Sequence, residues 1–192
     1  MVYLLVPAEN NRAGRLYYPE PVTGDFTLSF EYKIGGGTST GADGMLLSFF
    51  ANPSDVDVVS EGDRYQGGWL GFTGPGYAVE IDTFANAPYS GAEYRQDTEP
   101  HYAIIKDSTA NHLVKQTNIP HVSKKLNDNE WHTMTITVIG DHITVTADGV
   151  VVIDYDVPGG FDRTYSGLCF CASTGAANDN HSVRRIVLAQ QQ

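Results

Sequence analysis

From residue 132 onward, apolar and polar positions alternate with a period of two. His132, Met134, Ile136 and Val138 interleave with Thr133, Thr135 and Thr137, the pattern of a strand with one buried face. Gly140-Asp141 turns the chain, residues 143–146 form a second strand, and Asp148-Gly149 is a dipeptide favoured in tight hairpins. Residues 150–155 then complete a three-strand meander. Short runs rich in Val, Ile, Thr, Tyr and Phe predict further strands over 15–18, 26–33, 45–51, 69–73, 78–84, 101–106, 166–172 and 183–188. No segment longer than about ten residues carries a 3.6-residue stripe, so helix is expected to be minor, a single turn near residues 54–58. Evenly spaced short strands punctuated by Gly, Pro, Asn and Asp predict an all-β sandwich or jelly roll. No internal repeat or linker divides the chain, and residues 1–192 are expected to form a single domain.

Composition narrows the partners. Hydrophobic residues make up 41% and charged residues 18% of the 192 positions, which is globular rather than disordered. A net charge of −11 is the wrong sign for neutralising phosphates or anionic lipid, so no nucleic acid and no membrane insertion are expected. The longest apolar run is far too short to span a bilayer. Cys169 and Cys171 stand two apart; on a strand they point the same way, and they read as small buried hydrophobes rather than as a disulfide or a metal pair.

Polar chemistry concentrates in Val79-Glu80-Ile81-Asp82-Thr83-Phe84-Ala85-Asn86 and in the loop running to His101. On a strand, Glu80, Asp82 and Phe84 share one face while Val79, Ile81 and Thr83 share the other. Two carboxylates about 7 Å apart on a packed face are costly unless something positive sits between them. With no Lys or Arg on this strand, a divalent cation is the leading candidate. Carboxylates, an Asn amide oxygen and a backbone carbonyl are the hard donors Ca²⁺ takes, and His101 adds a ligand suited to Mn²⁺ or Zn²⁺. His112, His121 and His142 lack ligand-like spacing and are expected at the surface.

VEIDTFAN at residues 79–86 resembles the metal-binding strand of the legume (L-type) lectins. Three more segments resemble that family in the same order: GRLYYPEP at 14–21, GADGMLLSFFANP at 41–53 and GGWLGF at 67–72. Cys171-Ala172-Ser173-Thr174-Gly175 is similar to the strand end that precedes the family's specificity loop. The resemblance implies a concanavalin A-like jelly roll of antiparallel sheets that binds carbohydrate beside one Ca²⁺ and one transition metal. Carried over by position, Glu80 binds the transition metal, Asp82 bridges both ions, the Phe84 carbonyl and Asn86 side chain go to Ca²⁺, and His101 completes the transition-metal shell. The family's further bridging Asp has no match here. Asp97 is the nearest substitute, with Glu93 and Glu99 behind it.

For the sugar, the resemblance implies that Asp43, after a cis Ala42-Asp43 peptide, accepts two hydroxyl hydrogen bonds. Gly68 then offers a close N–H, Asn86 its amide, and Phe84 an apolar face to the ring; Asn178 and Asp179 on the loop from Gly175 to His181 set specificity. Glycans or glycoconjugates are the implied partners, in an extracellular or cell-surface setting, with multivalency supplied by a homodimer or by a larger multidomain chain of which 1–192 is an excised module. Glycoside hydrolases of the same fold place an acid two or three residues after the second carboxylate; here Phe84 and Ala85 stand in those positions, so the expected function is binding rather than turnover. A domain of this fold that binds no sugar is the remaining alternative.

Overall fold

The computed structural model describes residues 1–52, 66–72, 74–86, 99–119 and 125–191. Among these, twelve strands form two six-stranded antiparallel sheets. They are β1 Val2–Val6, β2 Ala13–Tyr18, β3 Phe26–Gly35, β4 Gly44–Ala51, β5 Tyr77–Asp82, β6 His101–Lys106, β7 Ser108–Gln116, β8 His132–Ile139, β9 His142–Ala147, β10 Val150–Asp156, β11 Gly167–Ser173 and β12 Asn180–Gln190. One sheet runs β1-β12-β3-β8-β9-β10, the other β2-β11-β4-β5-β6-β7. The expected antiparallel jelly-roll sandwich is the fold observed.

The first sheet obeys the period of two. Along β3, Phe26, Leu28, Phe30, Tyr32 and Ile34 are buried between the sheets, while Thr27, Ser29, Glu31 and Lys33 face outward. Met134, Ile136 and Val138 of β8, in register with Phe30, Leu28 and Phe26, extend the same apolar face. Phe26, Phe49, Phe50, Tyr77 and Phe161 meet at one end of the core, edge-on except for the stacked Phe49–Tyr77 pair, with ring centroids 5.0–5.9 Å apart. The Tyr32 and Tyr102 hydroxyls pair across the sheets at 2.7 Å, so neither buried phenol is left without a partner.

The second sheet is buried on both faces, which is why β4 and β5 lack visible alternation. Met45, Leu47, Phe49, Val79 and Ile81 face the main core. On the outer face Leu46, Ala78, Ala103, Ile105, Cys169 and Cys171 pack against Leu70 and Phe72. Leu70 and Phe72 come from the segment expected to be a strand at 69–73. Gly67 (φ +62°), Leu70 (φ 50°) and Gly71 (φ +73°) instead curl it into a 3₁₀ turn over Gly67–Trp69 that caps the sheet; Thr73 lies outside the described residues, as does the turn expected at 54–58. The cysteines are buried and free, with sulfurs 3.4 Å apart. Trp131 lies under the Arg184 guanidinium (3.9 Å) and the Lys33 ammonium (5.5 Å). Two strands were not anticipated: β1, whose apolar side chains are largely exposed, and β7, whose pattern is mixed. Of the chain's two Asn-x-Ser tripeptides, Asn52-Pro53-Ser54 has a central proline; in the other, Asn180-His181-Ser182, the Asn180 side chain is engaged with Ala8 N and Gly35 O.

Candidate functional site

Strand β5 carries the acidic groups because it is central in its sheet. Leu46 of β4 pairs with Glu80, Gly44 with Asp82, and on the other side Ala103 and His101 of β6 pair with Glu80 and Asp82. Val79 and Ile81 face the main core, so Glu80 and Asp82 fall on the outer face, beneath the loops rather than between the sheets. Both are buried there, Glu80 at 1% and Asp82 at 4% exposure. His101, fully buried, donates from Nδ1 to the Glu99 carbonyl at 2.8 Å, and its Nε2 therefore turns toward Glu80 Oε2 at 3.4 Å.

His112 joins them. Its Nε2 lies 3.1 Å from Glu80 Oε2 and 3.3 Å from His101 Nε2, with a side chain only 15% exposed. The expectation of a surface position for His112 is thus overturned: Lys106-Asp107-Ser108 turns β6 into β7, and across two register shifts His112, opposite Ile105, reaches the Glu80 carboxylate. His142 is the surface residue it was expected to be, half-exposed between Asp154 and Asp156. Glu93, Asp97 and His121 lie outside the described residues. Glu99 contributes its carbonyl to His101, not its side chain.

Electrostatics at this face favour added positive charge. Burial, reinforced by the Glu80 charge, holds the Asp82 carboxyl well above the usual carboxylate range, with His101 and the Phe84 N–H pulling the other way. Burial alone would depress the His101 pKa, but its contact with Glu80 and the charges of Glu80 and Asp82 carry it up to about 9. The turn after β5 holds the calcium-type donors together. Asp82 Oδ1 accepts from Phe84 N at 2.7 Å, and the buried Asn86 amide lies against the Phe84 carbonyl at 3.5 Å. A carboxylate, a carbonyl and an amide within one turn fit Ca²⁺ in donor type.

Asp43 stands one strand away. The Ala42–Asp43 peptide is cis. The Asp43 backbone is tied on both sides, its N–H to Ser173 O at 3.1 Å and its carbonyl to Thr83 N and Oγ1 at 2.9 and 3.0 Å. Its side chain is not: Oδ2 is buried without a partner, and burial pushes the carboxyl up to about 7 against a weak pull from the Gly175 backbone. Gly67 and Gly175 flank this carboxylate, and a Cβ on Gly175 would stand 3.1 Å from Oδ2. Gly67 is fixed by bonds with Thr174 and Ser173, and Gly68, the next residue, is buried in the 3₁₀ turn. Thr83, bonded to the Asp43 carbonyl, leads into the turn that carries the partly exposed Phe84 and the buried Asn86.

Asn178 and Asp179 are committed inside the fold. Asp179 accepts from Asn127 Nδ2 at 2.7 Å and Gly37 N at 3.1 Å. The Asn178 backbone is bonded to Thr38 and its side chain donates to Asn10. Their polar atoms brace the loop against the segment entering Asp43.

Sandwich topology, the cis bond before a buried Asp and the donor-bearing turn after β5 define a concanavalin A-like jelly roll of the legume-lectin kind. The model of the 3-keto-alpha-glucoside-1,2-lyase-like domain matches residues 4–178, and the chain belongs to that family. Among solved structures, the Ca²⁺- and mannose-bound exoplasmic/lumenal domain of VIP36 is 18% identical over 98% of this chain and 78% of its own, with a TM-score of 0.69. Lectin II from Ulex europaeus is 18% identical over 98% and 86%, TM-score 0.70, and basic winged bean lectin with Tn-antigen 20% over 93% and 80%, TM-score 0.64. Likeness at these identities speaks for the fold. No curated protein matches the chain.

Proposed function

We propose that this chain is a calcium-dependent carbohydrate-binding module that holds glycans without turning them over. The observation that carries the reading is Asp43: a buried carboxylate with a partnerless oxygen, flanked by Gly67 and Gly175, costs free energy unless a ligand hydroxyl completes it. Gly68, Phe84 and Asn86 are the accompanying contacts, supplying backbone N–H, a flat apolar face and an amide. In this reading Asn178 and Asp179 shape the loop that restricts which sugars enter. Asp82, the Phe84 carbonyl and Asn86 are the residues that would hold Ca²⁺, whose role is to neutralise Asp82 and fix Asn86 in place. The mannose- and Tn-antigen-bound forms of the fold's neighbours support the ligand class, and the exoplasmic/lumenal neighbour supports an extracellular or cell-surface setting. Useful avidity would come from several copies, in a dimer or a larger chain.

A second reading follows from the family description, which names a lyase, and from Glu80 with two histidines against it, an arrangement able to move protons. Against it, no acid follows Asp82 at residues 84 or 85. A glycan array probed with and without Ca²⁺, alongside incubation with 3-keto-α-glucosides, separates the two. Calcium-dependent retention without product is expected; product formation lost in Glu80→Gln would favour the lyase.

A further inference from the structure

We propose that Glu80, His101 and His112 form a three-ligand site for a nitrogen-preferring transition metal, Zn²⁺ rather than Mn²⁺, with His112 of β7 as a direct ligand. This goes beyond the glycan-binding reading and stands without it. The resemblance to legume lectins assigns no role to His112; of the carboxylates it would add to this shell, Asp82 is not part of the triangle and Asp97 lies outside the described residues.

Three observations converge. Glu80 Oε2, His101 Nε2 and His112 Nε2 are mutually 3.1, 3.3 and 3.4 Å apart. Donors bound at about 2.0–2.1 Å to one tetrahedral ion are separated by about 3.3–3.4 Å, so this triangle has the size of one face of a coordination polyhedron. Secondly, the Glu99 carbonyl can only accept, which fixes the His101 proton on Nδ1 in the neutral ring and aims the Nε2 lone pair at the Glu80 carboxylate, an acceptor, and at His112 Nε2. A proton on either ring satisfies one side of that triangle; a cation bound by all three atoms satisfies every side. Thirdly, the site is built into the sheet: Glu80 and His101 are 1% and 0% exposed, and the partly exposed His112 gives an ion its way in. Two imidazoles with one carboxylate suit zinc, cobalt or nickel, whereas manganese favours an oxygen-rich shell.

The test is metal titration of the chelator-treated full chain with Zn²⁺, Co²⁺, Mn²⁺ and Ca²⁺ by calorimetry, with the Co²⁺ visible spectrum as a second readout. The expected result is one Zn²⁺ per chain, bound at least about tenfold more tightly than Mn²⁺, and an intense low-coordinate Co²⁺ band. His112→Ala should weaken Zn²⁺ by at least about tenfold and abolish the band. His112→Asp, which keeps a ligand but changes its type, should move the preference toward Mn²⁺ and covers the case in which the alanine variant does not fold. His142→Ala, at the surface histidine, should leave the titration unchanged. Asp43→Asn should remove glycan binding while Zn²⁺ binding persists, so failure of the saccharide reading and failure of this one are told apart. Zn²⁺ affinity unaltered by both His112 variants, Mn²⁺ preferred by the parent chain, or no stoichiometric transition metal would overturn the proposal.

Discussion

At the scale of single residues, Asp43 is the side chain whose function and stability pull in opposite directions. Its carboxyl, raised from 3.8 to about 7 by burial, destabilises the fold wherever it must ionise. A raised folded value means the contribution is favourable below about pH 4 and lost as pH climbs through about 7. Roughly three pKa units correspond to a ceiling of about 4 kcal/mol. Asp43→Asn should therefore abolish glycan binding yet raise the melting temperature of the ligand-free chain at about pH 8 by several degrees; a fall would mean the carboxylate stabilises the fold. His132 has the same pH dependence from a different cause, acidic partners rather than burial. Burial lowers its pKa, but Asp148 and Asp128 on its two ring nitrogens, at 2.6 and 3.0 Å, raise it above 6.5 overall. That clamp is complete below about pH 6.5 and is lost as pH rises through the folded value. His132→Asn should lower the melting temperature more at about pH 6 than at about pH 9.

At the scale of elements, the β5 strand and the segment 41–44 are locked together by backbone geometry. Gly41 has φ +62°, and a Cβ there would fall 1.9 Å from Asn127 Nδ2 and 2.2 Å from Asp179 Oδ2. Gly41→Ala should thus break the Asn127–Asp179 brace, costing about 2 kcal/mol or more in chemical denaturation, and should displace Asp43 enough to weaken glycan binding. A substitution neutral in both assays would show that the brace does not position the site. This element was legible in sequence because the ADG string and VEIDTFAN each hold their chemistry within a few consecutive residues. His112 was not: it is eleven positions from His101 and meets Glu80 only because a hairpin at Asp107 (φ 63°) shifts register twice on the way. The available signal was Lys106-Asp107-Ser108 as a tight turn, which puts the two histidines on adjacent strands. Residues 69–73 misled for a different reason, since their apolar side chains cap the outer face of a sheet instead of joining it.

At the scale of the whole molecule, the first sheet apart from β1 follows binary pattern and was readable strand by strand, from Phe26 to Ile34 above all. The second is covered on both faces, so burial there reflects loops folding over it, a tertiary fact no local period encodes. The acidic groups lie on that outer face, and the account's central claim is that a cation bound there supports a saccharide cradle around Asp43. Calorimetric titration of Ca²⁺ into the chelator-treated chain and into Asp82→Asn, each followed by a glycan retained on the array, tests that claim most directly. The account predicts one Ca²⁺ bound by the parent chain, with a higher melting temperature as ligand linkage requires, and loss of both calcium and glycan binding in the variant. Glycan binding that persists in Asp82→Asn, or in the parent chain without any calcium, would contradict it.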